Sequence, residues 1–282
     1  MTITLTTLIA CLALTGCQHV NWPPAVVEPP PIVSTNAPAA AGIVRCAICV
    51  GVALAEDGVT CPGADVDAAN AYAHCVGYDY RLLMLDRSAC WDQTKEAITR
   101  ANGGMNPDDL LFVPWSGHGG QVPDLNGDEA DFLDEILKTW DRTVTDDEVW
   151  DFICTLRPCR LFLLTDTCSS EGNWRKVKRW AVKALTFGMA GQWEQTEFIL
   201  GDERTLEWPG QIIQISGCAE NKSSLGGDDG GLLSNTMWAK FAASASYADW
   251  FDRTKAAMPR YQVPVWTEYN CSDEFRNERP LR

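Results

Sequence analysis

A chain of 282 residues that is 46% hydrophobic has enough apolar material to bury the core of one sizeable α/β domain and carries no sign of a second. Its formal net charge of −15 argues against a nucleic-acid binder, which needs a basic stripe to meet phosphates, and favours cationic partners such as lysine and arginine side chains. The same carboxylates also keep a surface soluble.

In chain order, residues 5–14 form a short apolar core, and Leu14-Thr15-Gly16-Cys17 has the lipobox pattern, in which small residues admit a peptidase and the cysteine accepts lipid. Residues 1–17 are therefore expected to be a lipoprotein signal peptide that leaves Cys17 as the mature N-terminus. One departure is that no lysine or arginine precedes the apolar core. Gln18 stands where an aspartate would retain such a protein in the inner membrane. The expected location is the bacterial cell envelope, lipid-anchored in the outer membrane and facing the periplasm; an unused lipobox would leave the chain cytoplasmic. Residues 18–42 hold Pro23, Pro24, Pro29, Pro30, Pro31 and Pro38 among small residues, a composition that stays extended and makes a tether. Residues 43–282 remain for the folded domain.

From residue 43 onward strand and helix patterns alternate. Continuous apolar runs predict strands over 43–54, 80–85, 110–115, 160–165 and 211–216, and longer mixed runs predict helices over 64–75, 91–101, 146–156 and 232–245. Such alternation implies crossover connections and a mostly parallel sheet with helices on both faces. The segment 170–209, with Arg175, Lys176, Lys178 and Arg179, reads as a solvated surface helix, with a cleavable linker as the other reading.

Two of the strands end in reactive residues. The run 110–115 breaks into Ser116-Gly117-His118-Gly119, and the run 160–164 into Thr165-Asp166-Thr167-Cys168. Ligands bind parallel sheets beyond the carboxyl ends of the strands, so His118 and Cys168 are expected on one edge. A thiol beside an imidazole is an activated nucleophile. Cys168 would attack as thiolate and His118 would move the proton, a role worth on the order of 100-fold to 10,000-fold. Glycines on either side of His118 let backbone approach a substrate, and the N–H groups of Gly119 and Cys168 are the expected oxyanion donors. His74, in a helical Ala-Tyr-Ala-His-Cys run, is the competing base but suits packing.

With Cys11 and Cys17 in the expected signal peptide and Cys168 as nucleophile, nine of the twelve cysteines remain, an odd number that demands no complete disulfide framework. Cys46 and Cys49 have C-x-x-C spacing inside a strand pattern, where residues three apart face opposite sides, and no histidine or second pair completes a zinc or redox site.

Three ordered motifs carry a family resemblance: Ser116 to Gly119 after a strand, the acidic run Gly127-Asp128-Glu129-Ala130-Asp131-Phe132-Leu133-Asp134-Glu135, and Asp166-Thr167-Cys168 after a strand. Over residues 43–241 the chain resembles the caspase-like cysteine peptidases of the metacaspase type I branch, peptidase family C14. The histidine lies fifty residues before the cysteine, as in caspases, while the Q-A-C-x-G sequence of true caspases is absent. Residues 215–220 and the glycine-rich 226–233 resemble the family's later strand end and its return to a final helix. The resemblance implies a caspase-like three-layer α/β fold with a mostly parallel six-stranded sheet, and a cysteine endopeptidase acting on polypeptides.

It also implies a specificity pocket. In metacaspases the aspartate two before the nucleophile, the serine of S-G-H-G and an aspartate of a P-G-C-x-N-D-A motif hold a basic P1 side chain. Asp166, Ser116 and Asp67 match, the last within Pro62-Gly63-Ala64-Asp65-Val66-Asp67-Ala68, where Ala64 and Val66 depart from the pattern. Paired carboxylates hold arginine bidentately and lysine as a point charge, so cleavage after Arg or Lys is expected. The competing reading is that Asp67 only caps or solvates its helix. Calcium is the expected cofactor, if there is one: Asp134, Asp146 and Asp147 match the ligands of calcium-dependent members, with Arg175 near the position of a further aspartate. The alternative for Asp146-Asp147-Glu148 is a helix N-terminus capped by Thr145. Ser169 stands where the family has histidine after the nucleophile. The alternative function is a caspase-like module without activity, a scaffold or receptor at the envelope, which an arginine-P1 peptide assay would separate from the enzyme.

Overall fold

Apolar runs bounded by turn formers become the strands of one central sheet. The computed structural model describes residues 42–123, 133–167, 183–187, 193–197, 207–218 and 224–281. The first half builds β1 (Arg45–Gly51), α1 (Ala64–His74), β2 (Tyr80–Leu85), α2 (Trp91–Asn102) and β3 (Leu110–Ser116). An antiparallel ribbon of β4 (Gly119–Pro123), β5 (Leu133–Lys138) and β6 (Thr143–Thr145) follows, then α3 (Asp146–Thr155) and β7 (Arg160–Asp166). The second half adds β8 (Lys183–Phe187), β9 (Trp193–Glu197), β10 (Gln211–Ser216), the short strands β11 (Gly226–Gly227) and β12 (Gly230–Gly231), α4 (Leu232–Phe241), α5 (Tyr247–Ala257), β13 (Val265–Tyr269) and α6 (Asp273–Asn277).

The central sheet has six strands in the order β2-β1-β3-β7-β10-β13, all parallel except β13, which runs antiparallel to β10. β3 and β7 are buried at every position, because α2 and α3 cover one face and α1, α4 and α5 the other. On β1 the alternation is explicit. Cys46, Ile48 and Val50 join the core with Trp91, Ile98 and Trp150, whereas Ala47 and Cys49 join the core with Ala68, Met237 and Trp250. This is the expected three-layer α/β fold, and the C-x-x-C cysteines face opposite layers as their spacing requires. Burial, with Asp79 and Asp109 adding to it, pushes the Cys46 thiol up to about 12. A hydrogen bond with Cys75, and then burial, hold Cys49 well above its ordinary value, so neither thiol offers a thiolate.

The differences from the sequence expectations are local. α4 stops at Phe241 because Ser246 caps a new helix, its Oγ accepting the Asp249 N–H at 3.1 Å. β13 is an edge strand of partly exposed residues and lacks the unbroken apolar run that marks β3 and β7. In place of the expected surface helix, the described part of 170–209 holds the antiparallel hairpin of β8 and β9. Gly188 and Gly191 between Thr186-Phe187 and Trp193 are a hairpin signal that the mixed charge obscures. Arg175, Lys176, Lys178 and Arg179 lie outside the described residues, as do the expected signal peptide and all of the expected tether except residue 42. No helix among the described residues is long and apolar enough to cross a membrane.

Candidate active site

β3 and β7 are adjacent parallel strands that pair Ser116 with Asp166, so both chains leave the sheet at the same level. Gly117 and His118 follow β3. Thr167 follows β7 and precedes Cys168, which lies outside the described residues. His118 is held from two sides: its Nε2 lies 2.7 Å from the Thr60 carbonyl oxygen, and its own carbonyl accepts the Lys138 N–H at 2.9 Å. A carbonyl oxygen can only accept, so Nε2 carries the hydrogen and the lone pair of the neutral ring sits on Nδ1. The Lys138 bond also orients Gly119. Antiparallel pairs alternate between bonded and non-bonded, so the next pair, Gly119 with Leu137, is non-bonded and the Gly119 N–H points away from β5. Thr60 is missing from the sequence candidates because it serves through its backbone, which any residue type would supply. His74 stacks on Trp238 with ring centroids 4.2 Å apart and 6° between the planes, and burial lowers its pKa. It is a packing residue.

The expected pocket residues meet. Asp67 Oδ2 accepts from Ser116 Oγ at 2.7 Å, and the Gly231 N–H lies 2.9 Å from both Asp67 oxygens. Asp166 accepts from Ser224 Oγ through Oδ1, and from the Ser234 N–H and Oγ through Oδ2, both at 2.9 Å. β12 passes between the two carboxylates: a Cβ on Gly231 would sit 2.0 Å from Asp166 Oδ2 and 3.0 Å from Asp67 Oδ2, so only glycine fits. The Asp67 side chain bonds to Ser116 and Gly231 and makes no cap to α1, which removes the capping reading. Glycine-rich 226–233 is visible in the sequence, but its place against these carboxylates is not.

Two buried carboxylates this close repel each other. Burial, and then the Asp166 charge, push Asp67 up to about 7, against the opposing pull of the Ser116 and Gly231 donors. Burial also raises Asp166, opposed by Ser224 and Ser234. Asp67 and Asp166 are 4% and 6% exposed, with Gly230 and Gly231 of β12 packed against their carboxyl groups.

Asp134, Asp146 and Asp147 lie at one end of the ribbon, beyond its last β5–β6 pair, Ile136 with Thr145. Asp134 and Asp146 are buried. Thr145 caps α3 reciprocally: its Oγ1 accepts the Glu148 N–H and Glu148 Oε2 accepts the Thr145 N–H, both at 3.3 Å. Among the described residues no group of three or more His, Cys, Asp or Glu side chains is placed to hold a metal ion.

The description "Metacaspase, peptidase C14 domain" matches residues 45–174, a span that holds both motif strands and Cys168. Over that span the chain resembles the metacaspase family. Metacaspase-1 of Cryptococcus neoformans is 30% identical over 210 residues, covering 68% of this chain and 42% of that protein. Metacaspase-1 of Schizosaccharomyces pombe is 43% identical over 72 residues, 23% of this chain and 17% of that one. The chain therefore spans less than half the length of these curated metacaspases. A crystal structure of a Geobacter sulfurreducens protein superposes with a TM-score of 0.66 over 84% of this chain and 98% of that one at 19% identity, which shows a shared fold.

Proposed function

We propose that this metacaspase-like domain is a cysteine endopeptidase that cleaves after arginine or lysine, with Cys168 as nucleophile and His118 as its acid-base partner. The observation that carries the reading is the meeting of Asp67, Ser116 and Asp166 at the strand edge where His118 stands. Thr60 holds Nε2–H, so Nδ1 is the atom that takes the Cys168 proton. The thiolate attacks the peptide carbonyl, and the N–H groups of Gly119 and Cys168 hold the oxyanion. His118 returns the proton to the leaving amine, and water then cleaves the thioester to release the acid and restore the thiol.

A guanidinium or ammonium that displaces β12 would settle between carboxylates that otherwise repel, so a basic P1 group gains what a neutral one does not. A P1 aspartate would add a further negative charge and is excluded. Anchoring through a lipidated Cys17 belongs to the same proposal, supported by the lipobox and the proline-rich 18–42, and would present the domain to envelope polypeptides.

The test is hydrolysis of Arg-, Lys- and Asp-P1 fluorogenic peptides, with and without calcium, by the parent, Cys168→Ala and His118→Ala. The parent should cleave the basic peptides alone, and each variant should lose turnover while keeping the parent's circular dichroism. Turnover in either variant would sink the dyad, and preference for aspartate would overturn the pocket. A folded parent that cleaves no peptide would favour the scaffold. A rate that rises with calcium would support Asp134, Asp146 and Asp147 as its ligands, and an unchanged rate would retire them.

A further inference from the structure

Between Tyr261 and Val263, which are 74% and 48% exposed, the polar Gln262 is 1% exposed. Hydrophobicity alone would reverse that order, so the amide is drawn inward by what it bonds. From the loop between α5 and β13, its Oε1 accepts the Leu225 N–H at 2.9 Å, and its Nε2 donates to the Gly217 carbonyl at 3.0 Å and to Ser224 Oγ at 2.8 Å. A backbone N–H on one side and a backbone carbonyl on the other leave the amide a single orientation. Both Nε2 hydrogens are therefore committed, one of them to the Ser224 oxygen. A hydroxyl has one hydrogen. With its oxygen accepting from Gln262, Ser224 turns that hydrogen to Asp166 Oδ1.

We propose that Gln262 is a positioning residue for the pocket: acting through Ser224, it aims a hydroxyl hydrogen at Asp166 and keeps that carboxylate charged for a basic substrate side chain. This rests on the reading of Asp166 as pocket floor. Among the described residues the ionisable group facing Asp166 is Asp67 on α1, a like charge. Ser224 and Ser234, which reach it from before β11 and from α4, do not titrate. Neutral donors thus keep the negative charge in a buried place, and withdrawing one of them lets Asp166 hold its proton to higher pH.

The experiment measures kcat/KM for an Arg-P1 peptide from about pH 5 to about pH 9 with the parent, Ser224→Ala, Ser224→Thr and Gln262→Met. Asp67 and Asp166 bind a cation when ionised, so activity rises with pH through the titration of the pair. In Ser224→Ala and Gln262→Met that acid limb should move up by about one pH unit, which is about a tenfold loss on the acid side and little change on the alkaline plateau. Ser224→Thr keeps the hydroxyl and should keep the parent's limb. In a Ser224→Ala background, Gln262→Met should move it no further. A loss equal at all pH values, or a second full shift in the double variant, would overturn the relay. If the parent cleaves no basic peptide, the basic-P1 reading has failed, and an infrared titration decides the relay separately. The carboxyl band that vanishes in Asp166→Asn should then persist to higher pH in Ser224→Ala and Gln262→Met, and an unmoved band would overturn the proposal.

Discussion

Replacing Asp67 by asparagine should move activity and stability in opposite directions. Asparagine keeps the shape, and its Oδ1 can still accept from Ser116 and Gly231, but the charge is gone. For an arginine substrate one charge-assisted contact is lost, worth about 1.5–3 kcal/mol, or about 10-fold to 100-fold in kcat/KM. Stability responds with the other sign. Asp67 titrates at about 7 in the fold, against about 3.9 for a free aspartate, so its ionised form opposes folding by up to about 4 kcal/mol. An acid whose folded pKa is raised stabilises fully below its unfolded pKa, and that contribution is lost as pH rises through the folded value. The window therefore runs from about pH 4 to about pH 7. Asp67→Asn should melt several degrees above the parent at about pH 8 and match it near about pH 4, while Arg-P1 hydrolysis falls. Thermal melts at both pH values and kcat/KM for Arg peptides check the pair of signs. A change in hydrolysis under about three-fold, equal to about 0.6 kcal/mol, would place Asp67 outside the substrate path. A lower melting temperature at about pH 8 would show that its charge supports the fold, and would refute the burial cost and the Asp166 repulsion on which the argument rests.

Gly231→Ala should destabilise the domain by about 1–3 kcal/mol or more in urea unfolding, because its Cβ has no room between the carboxylates; a neutral result would mean that β12 moves freely. In a bacterial host with lipoprotein processing, mass spectrometry of the mature protein should find a lipid-modified Cys17 at the N-terminus, and an intact Met1 terminus would reject the anchor.

Much of the frame was legible residue by residue. β2 and β10 have the bounds that their apolar runs predict, and His118 and Asp166 stand where such runs break, since an unbroken run of Leu, Phe and Val has no stable place except between two covering layers. Cys46 and Cys49 face opposite layers for the simplest reason, the period of a strand. Asp67, Ser116 and Asp166, expected as a pocket from motif resemblance, lie together in the structure. β13, α5 and α6 escaped because their patterns are short or partly exposed, and Lys183–Phe187 and Trp193–Glu197 are strands within the expected helix of 170–209 because mixed charge is common to surface helices and hairpins alike.

Sequence by itself determined the layers, the parallel strands and the sheet edge that carries the motifs, because periodicity and strand ends are local properties of the chain. Tertiary structure alone decided what surrounds the motif residues. Asp67 receives the N–H of Gly231, 164 residues away, and Asp166 is served by Ser224, Ser234 and, one step removed, Gln262. His118 is oriented by the carbonyl of Thr60, which has no side-chain signature. Which donors reach a buried carboxylate, and whether two such carboxylates repel, depends on how distant segments cross over the sheet, and no local pattern encodes that crossing.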